Sequence, residues 1–378
     1  MNRPRFNLFL LVTLAMLSCS SQCRADTKLI FISAFAPGEK GAIHAFRLDL
    51  ESGELSLTQK ESSVEHPFFL ALSPNRKFLY SIHAEKFGGK DNEHVAAYRI
   101  VSDDGKLELI NRESALGTAA CYLDVDQTGK TVVVANYSTG SVASLPVKED
   151  GSLAKAVSFV QHKGSSVNTR RQTAPHAHSI VVGPKNGFVY AADLGTDQVL
   201  SYRLDAKSSK LTVNSQPFEK TPAGAGPRHL TFHPNGKFMY VVNELTNSVT
   251  RFDYNAKSGH LKQLETISTL PKDFDGTSYC ADLKITPDGR FLYATNRGHD
   301  SIASYEIAKD GKLSLLAINK SLGKGPQNLA ITPNGKLLIC ANMAGSNVVV
   351  FRIDSKTGGI NSLGKPVEMT SPSCIMIR

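Results

Sequence analysis

His233-Pro234-Asn235-Gly236-Lys237-Phe238-Met239-Tyr240 joins one short apolar run, Leu230-Thr231-Phe232, to another that continues through Val241 and Val242. Proline presets φ and glycine supplies a positive φ, so Pro234-Asn235-Gly236 reads as a tight turn between two strands. A polar loop follows at 243–247, then an alternating third strand at 248–254. Next come a Ser258-Gly259 turn and a polar fourth strand from His260. The same grammar recurs around Pro74, Thr128, Pro184, Pro287 and Pro333, about every 50 residues, the length of one four-stranded propeller blade with its loops. Short alternating runs broken by turns indicate antiparallel β-structure. A β-sandwich would explain the alternation but not the recurrence.

The two ends complete the count. Residues 28–33, 42–48 and 54–57 supply the second, third and fourth strands of a blade that has no first strand. Residues 371–377 supply a first strand with no blade. Joined, they predict an all-β, seven-bladed β-propeller of four-stranded antiparallel blades, with the ring closed by the C-terminal strand pairing with the N-terminal strands. Closure of this kind leaves no exposed blade edge.

Residues 1–25 read as a signal peptide and 26–378 as the propeller. Arg3 and Arg5 precede an apolar run from Phe6 to Leu17, and Cys23-Arg24-Ala25 offers a cleavage site before Asp26. The run falls short of the roughly twenty residues a spanning helix needs. The expectation is an exported protein, periplasmic or extracellular, with no transmembrane helix in the mature chain; acylation at Cys19 is the lipoprotein alternative. Cys121, Cys280, Cys340 and Cys374 show neither CxxC nor metal-ligand spacing, and read as buried small hydrophobes. The net charge of +9 over 378 residues is dispersed along the chain, which argues against a nucleic-acid footprint. A monomer is expected.

In a propeller the first strands line the channel and the loops after the second strands open on one face. Departures from the repeat at those places are functional candidates. Aligning blades on the turn proline puts His178 (in Pro175-His176-Ala177-His178-Ser179) and Arg228 (in Gly226-Pro227-Arg228-His229) at equivalent first-strand positions of adjacent blades. Phe68, Ala281 and Gln327 hold that position elsewhere. Glu244, Arg297 and Asp193 fall in the loops after second strands. An imidazole, a carboxylate and two guanidiniums are thus expected at one channel mouth. His176, Asp193 and His229 are assigned to substrate binding around them. The His-x-His pair lacks further ligands by spacing, so no metal site is predicted.

At these residues the chain resembles the seven-bladed lactonase family, which contains bacterial 6-phosphogluconolactonases and fungal carboxy-cis,cis-muconate cyclases. The resemblance is carried by Pro175-His176-Ala177-His178-Ser179, Ala192-Asp193-Leu194-Gly195-Thr196-Asp197, Gly224-Ala225-Gly226-Pro227-Arg228-His229-Leu230, Val242-Asn243-Glu244-Leu245 and Ala281-Asp282-Leu283-Lys284. It implies a site of one His, two Arg and one Glu, which carries over to His178 (or His176), Arg228, Glu244 and Arg297. The family's pentose-phosphate role is cytoplasmic, so the export segment sets this chain apart.

The implied reaction is hydrolysis of a sugar lactone, neutral or anionic, with no metal or organic cofactor. Glu244 or His178 would act as general base and acid. Arg228 would clamp the oxyanion or a substrate anion, and Arg297 would bind an anion. A muconate cyclase would use the same groups for ring closure. A non-catalytic exported propeller that binds a surface ligand or protein is the alternative of a different class.

Overall fold

A computed structural model of the protein describes Met1, residues 26–62 and residues 64–378. Apart from Met1, the export segment expected over residues 1–25, Cys19 included, lies outside the described residues. The described chain forms seven four-stranded antiparallel sheets. Its one helical turn is the 3-10 segment Gly38–Lys40.

Blade 1 is built from both ends: Pro372–Ile377 pairs with Thr27–Ala34, which pairs in turn with Ala42–Asp49 and then Leu55–Glu61. Ile30 faces Ile377, Ile32 faces Ile375 and Ser33 faces Cys374 across the closure. The hydroxyls of Ser33 and Ser373 meet at 2.8 Å. Blades 2 to 7 follow in chain order, each running first strand to fourth from the channel outward. Their first strands are Leu70–Leu72, Ala120–Val125, Ala177–Val182, Pro227–Phe232, Tyr279–Ile285 and Pro326–Ile331. The expected closure and blade count therefore hold, and the four cysteines Cys121, Cys280, Cys340 and Cys374 are free and buried.

The repeat's Phe-x-Tyr second strand has a physical purpose. Tyr190 of blade 4 donates to the Gly259 carbonyl of blade 5 at 2.8 Å. Tyr240 of blade 5 does the same to Gly311 of blade 6, and Tyr293 of blade 6 to Gly358 of blade 7. The Phe two residues earlier packs on the same glycine: a Cβ on Gly259 would lie 2.4 Å from the Phe188 ring. Gly259 also has φ +72, a backbone that side chains resist. Blade 2 does the same with Tyr80 and Gly151, so blades 2, 4, 5 and 6 each dock their aromatic pair on the third-to-fourth-strand turn of the next blade, which is why the pair and the turn glycine recur together.

Two features of the blades aim side chains at the channel mouth. First strands carry a β-bulge near their start, where one residue has no cross-strand partner. The skipped residue is Cys121 in blade 3, His178 in blade 4, Arg228 in blade 5 and Gln327 in blade 7. A bulge bends the strand and re-aims the extra side chain. Second strands, meanwhile, carry a fully buried polar residue at or next to their end: Asn136, Asn243, Asn296 and Asn342 in blades 3, 5, 6 and 7. The residue after it emerges on the mouth as Tyr137, Glu244, Arg297 and Met343.

Candidate active site

Four of the residues singled out in the sequence converge. Glu244 is at the centre, its side chain only 6% exposed. Its Oε2 accepts from Arg228 Nε at 2.9 Å and from Arg297 Nη2 at 2.9 Å, and it lies 3.7 Å from His178 Nε2. The bulge positions of blades 4 and 5 and the strand ends of blades 5 and 6 supply these four groups.

Arg171 completes the cluster and was not visible in the repeat. Its Nη2 donates to Glu244 Oε1 at 2.7 Å and to the Tyr137 hydroxyl at 3.1 Å. It lies on the connection between Ser158–Gln161 and Ala177–Val182, which no other blade matches in length or sequence, so alignment on the repeat passes over it. Tyr137 was missed as well, although its position after Asn136 is the one that Glu244 and Arg297 occupy in their own blades.

The electrostatics follow from this packing. Burial works to raise the Glu244 carboxyl, but Arg297, Arg228 and Arg171 outweigh it and hold the group below its ordinary range. His178 is pushed well below its ordinary value by burial first and then by the charge of Arg228, so it is a neutral imidazole at pH 7. Arg228, 2% exposed, is lowered by burial and by Arg297 to about 10, and so stays charged. The cluster therefore holds one carboxylate, three guanidiniums and a neutral imidazole.

The three residues assigned to substrate binding have other surroundings. Asp193 is fully buried and faces into its own blade. It stands opposite Ala177 in register, as Asn243 stands opposite Pro227, so it is blade 4's version of the buried Asn rather than of Glu244. One residue along a strand moves a side chain to the opposite face. Its carboxylate is spent on the N–H groups of His176, Gly195 and Thr196 and on His162 Nδ1 at 2.6 Å. The expected contact with substrate is corrected accordingly. His229 is buried behind the cluster, between Asp282 at 2.9 Å and Arg228 Nη1 at 3.1 Å, and burial with Arg228 lowers it to about 3. That places it as a support for Arg228, nearly closed to solvent. His176 is half-buried, stacked on Tyr137 at 4.5 Å, with Nδ1 on the Tyr137 carbonyl.

Arg297 also lines a cavity of about 550 Å³ between blades 6 and 7, together with Tyr279, Gln327, Lys324 and Met343. A larger cavity, about 830 Å³, lies against the second-to-third-strand loop of blade 2 and is lined by none of the cluster's residues. The smaller one adjoins the chemistry.

A family model described as lactonase, 7-bladed beta-propeller, matches residues 29–377. The chain belongs to this lactonase family. It is 35% identical over 351 residues to the 6-phosphogluconolactonase of Bacillus subtilis (strain 168), covering 92% of this chain and 98% of that protein. It is 34% identical to the 6-phosphogluconolactonase of Formosa agariphila, with 92% and 99% covered. Among solved structures it is similar to the periplasmic gluconolactonase of Pseudomonas aeruginosa, with a TM-score of 0.87, 30% identity, and 93% and 99% covered.

Within this lactonase-family propeller, the roles open to each group follow from its donors. Arg228 spends its nitrogens on Glu244, on the Ala281 carbonyl and on His229, so it positions the carboxylate. Arg297 reaches the Tyr279 carbonyl and Gln327 only at 3.4 Å each, weak contacts that a substrate oxygen can replace. Cys121 Sγ lies 3.7 Å from His178 Nδ1, but burial keeps its thiol well above the ordinary range, unsuited to nucleophilic attack.

Proposed function

We propose that this protein is a hydrolase of sugar lactones, most like 6-phosphogluconolactone, acting at the mouth formed by His178, Arg228, Glu244 and Arg297. The observation that carries the reading is the buried His178 imidazole, its Nε2 3.7 Å from a carboxylate that three arginines hold in place. An imidazole that is neutral at pH 7 is in the form that accepts a proton, and Glu244 is placed to stabilise the imidazolium once it forms. Glu244 itself, held in its ionised form by guanidiniums, is a poor base and a good counter-ion.

In this mechanism His178 Nε2 takes a proton from water as the water oxygen bonds to the lactone carbonyl carbon. The carbonyl π pair moves onto its oxygen, where Arg297 stabilises the charge. Collapse breaks the bond to the ring oxygen, which leaves with the electron pair and takes the proton back from His178. The product is the open hydroxy acid. No step needs a group beyond these side chains and water, and three guanidiniums around one carboxylate repel a cation.

The relatives named 6-phosphogluconolactonase support this choice of substrate class. The test is a panel of neutral, phosphorylated and carboxylated sugar lactones set against muconates. Turnover of a lactone with loss of activity in His178→Ala supports the proposal. Turnover of muconates alone, or of nothing, overturns it. We further propose that the protein is exported, as the signal order of residues 1–25 suggests and the name of the periplasmic relative supports. Mass spectrometry of native protein should find a chain beginning near Asp26, and an intact Met1 start would overturn this.

A further inference from the structure

We infer that Arg171 forms an oxyanion-binding subsite at the mouth and confers preference for lactones that carry a phosphate or carboxylate; the inference rests on the lactonase reading for its substrate. Charge is the first reason. Arg171, Arg228 and Arg297 all pair with Glu244, and no other carboxylate pairs with them among the described residues. The cluster thus holds more positive charge than its one carboxylate can offset, and an anionic ligand would balance it.

Donor accounting then selects one of the three. Arg228 is buried and committed to Glu244 and the Ala281 carbonyl, and Arg297, whose two 3.4 Å contacts a substrate oxygen can replace, is already assigned to the lactone carbonyl oxygen. Arg171 uses Nη2 alone, for Glu244 and Tyr137. Its Nε and Nη1 have no partner among the described residues, and its side chain is 35% exposed. A guanidinium edge offering parallel N–H groups fits two oxygens of a phosphate or carboxylate.

Arg171 is also held ready. Asn168 Oδ1 accepts from the N–H groups of Arg170 and Arg171, and Gln172 N closes the turn on the Asn168 carbonyl at 2.8 Å. Gln172, fully buried, anchors that turn to Asp197 Oδ1 and to the Leu194 carbonyl. Asp197 in turn accepts from the N–H groups of Gly224 and Gly226, just before Arg228. The same carboxylate therefore fixes the Arg171 turn against the strand that carries Arg228. The guanidinium lies 5.9 Å from the ring of Tyr279, which lines the 550 Å³ cavity beside Arg297. A ring opened at Arg297 would place its substituent within this region.

The experiment compares kcat/KM for glucono-lactone, its 6-phosphate and a carboxylated sugar lactone in the parent, Arg171→Gln, Arg171→Lys and Lys324→Ala. Lys324 is the rival cation on the same cavity. The ratio of anionic to neutral kcat/KM is expected to fall about ten- to hundredfold in Arg171→Gln, the worth of a charged hydrogen bond. It should recover in part in Arg171→Lys and stay at the parent value in Lys324→Ala. An unchanged ratio in Arg171→Gln, or a fall in Lys324→Ala instead, overturns the subsite. Should the glutamine variant fail to fold, Arg171→Lys decides, because it keeps the charge on Glu244 and loses the fork: a ratio at the parent value there also overturns it. The phosphorylated and carboxylated arms separate the two kinds of anion. Calorimetric binding of inorganic phosphate to parent and variants tests the subsite even if no lactone is turned over. Equal binding by parent and Arg171→Gln would sink it, whereas absent turnover with Arg171-dependent phosphate binding would sink only the lactonase reading.

Discussion

Arg228 and Glu244, sixteen residues apart, meet at 2.9 Å across the first and second strands of blade 5, both nearly excluded from solvent. A buried guanidinium without its counter-charge is costly, and Arg297 and Arg171 crowd the same carboxylate. Glu244→Gln should therefore lose stability by about 3–5 kcal/mol, the usual cost of breaking a buried pair from one side. Urea unfolding of the parent and the variant measures it. A variant as stable as the parent would show that the arginines are neutralised by something else.

The pH dependence of catalysis should report His178. Burial and the neighbouring cations depress its pKa, so the acid limb of kcat/KM should fall below pH 6.5, the ordinary histidine value. Arg297 is one of the charges that disfavour the imidazolium. Removing it favours the protonated form, so Arg297→Gln should move the limb upward in whatever activity remains. A limb that stays in place, or moves down, would assign the titration to another group.

Much of this is legible in the sequence because the repeat is local. A Pro-Asn-Gly turn and the Phe-x-Tyr strand after it are short-range signals, and their recurrence carries the topology. His178, Arg228, Glu244 and Arg297 stood out as departures in repeat register. Arg171 did not, since it lies in a connection with no counterpart to align against. Asp193 is a different case. It stands as far from Pro184 as the buried Asn243 does from Pro234, one residue short of the Glu244 position, so strict spacing from the turn already separates it from Glu244. The cross-strand register agrees, with Asp193 opposite Ala177 as Asn243 is opposite Pro227.

The docking of blade 4 on blade 5 can be tested with two glycines that share a backbone conformation. Gly236 has φ +66 and nothing within 4 Å of a built Cβ, while Gly259 has φ +72 and meets the Phe188 ring at 2.4 Å. Alanine at either position pays left-handed strain, about 1–2 kcal/mol. At Gly259 it must also displace Phe188 and disturb the Tyr190 hydrogen bond. Gly259→Ala should lower Tm clearly more than Gly236→Ala. Equal losses would mean that the inter-blade contact adds nothing to the strain.

The closure of the ring makes the last seven residues structural despite their terminal position. Pro372–Ile377 is the channel strand of blade 1, with Cys374 and Ile375 buried. The strand is tied on both sides. Ser373 Oγ lies 2.8 Å from both Ser33 Oγ and the Phe68 carbonyl of blade 2. Ile375 N donates to Asn328 of blade 7 at 2.9 Å. Deleting 372–378 removes these contacts together, exposes the inner edge of Thr27–Ala34 and leaves Asn328 Oδ1 without its donor. Ordinary end truncations cost little because chain ends are usually loosely held. This one should lower Tm sharply or prevent folding and should expose an aggregation-prone edge. Thermal unfolding with light scattering on the truncated chain is the measurement, and parent-like melting without aggregation would contradict closure by this strand.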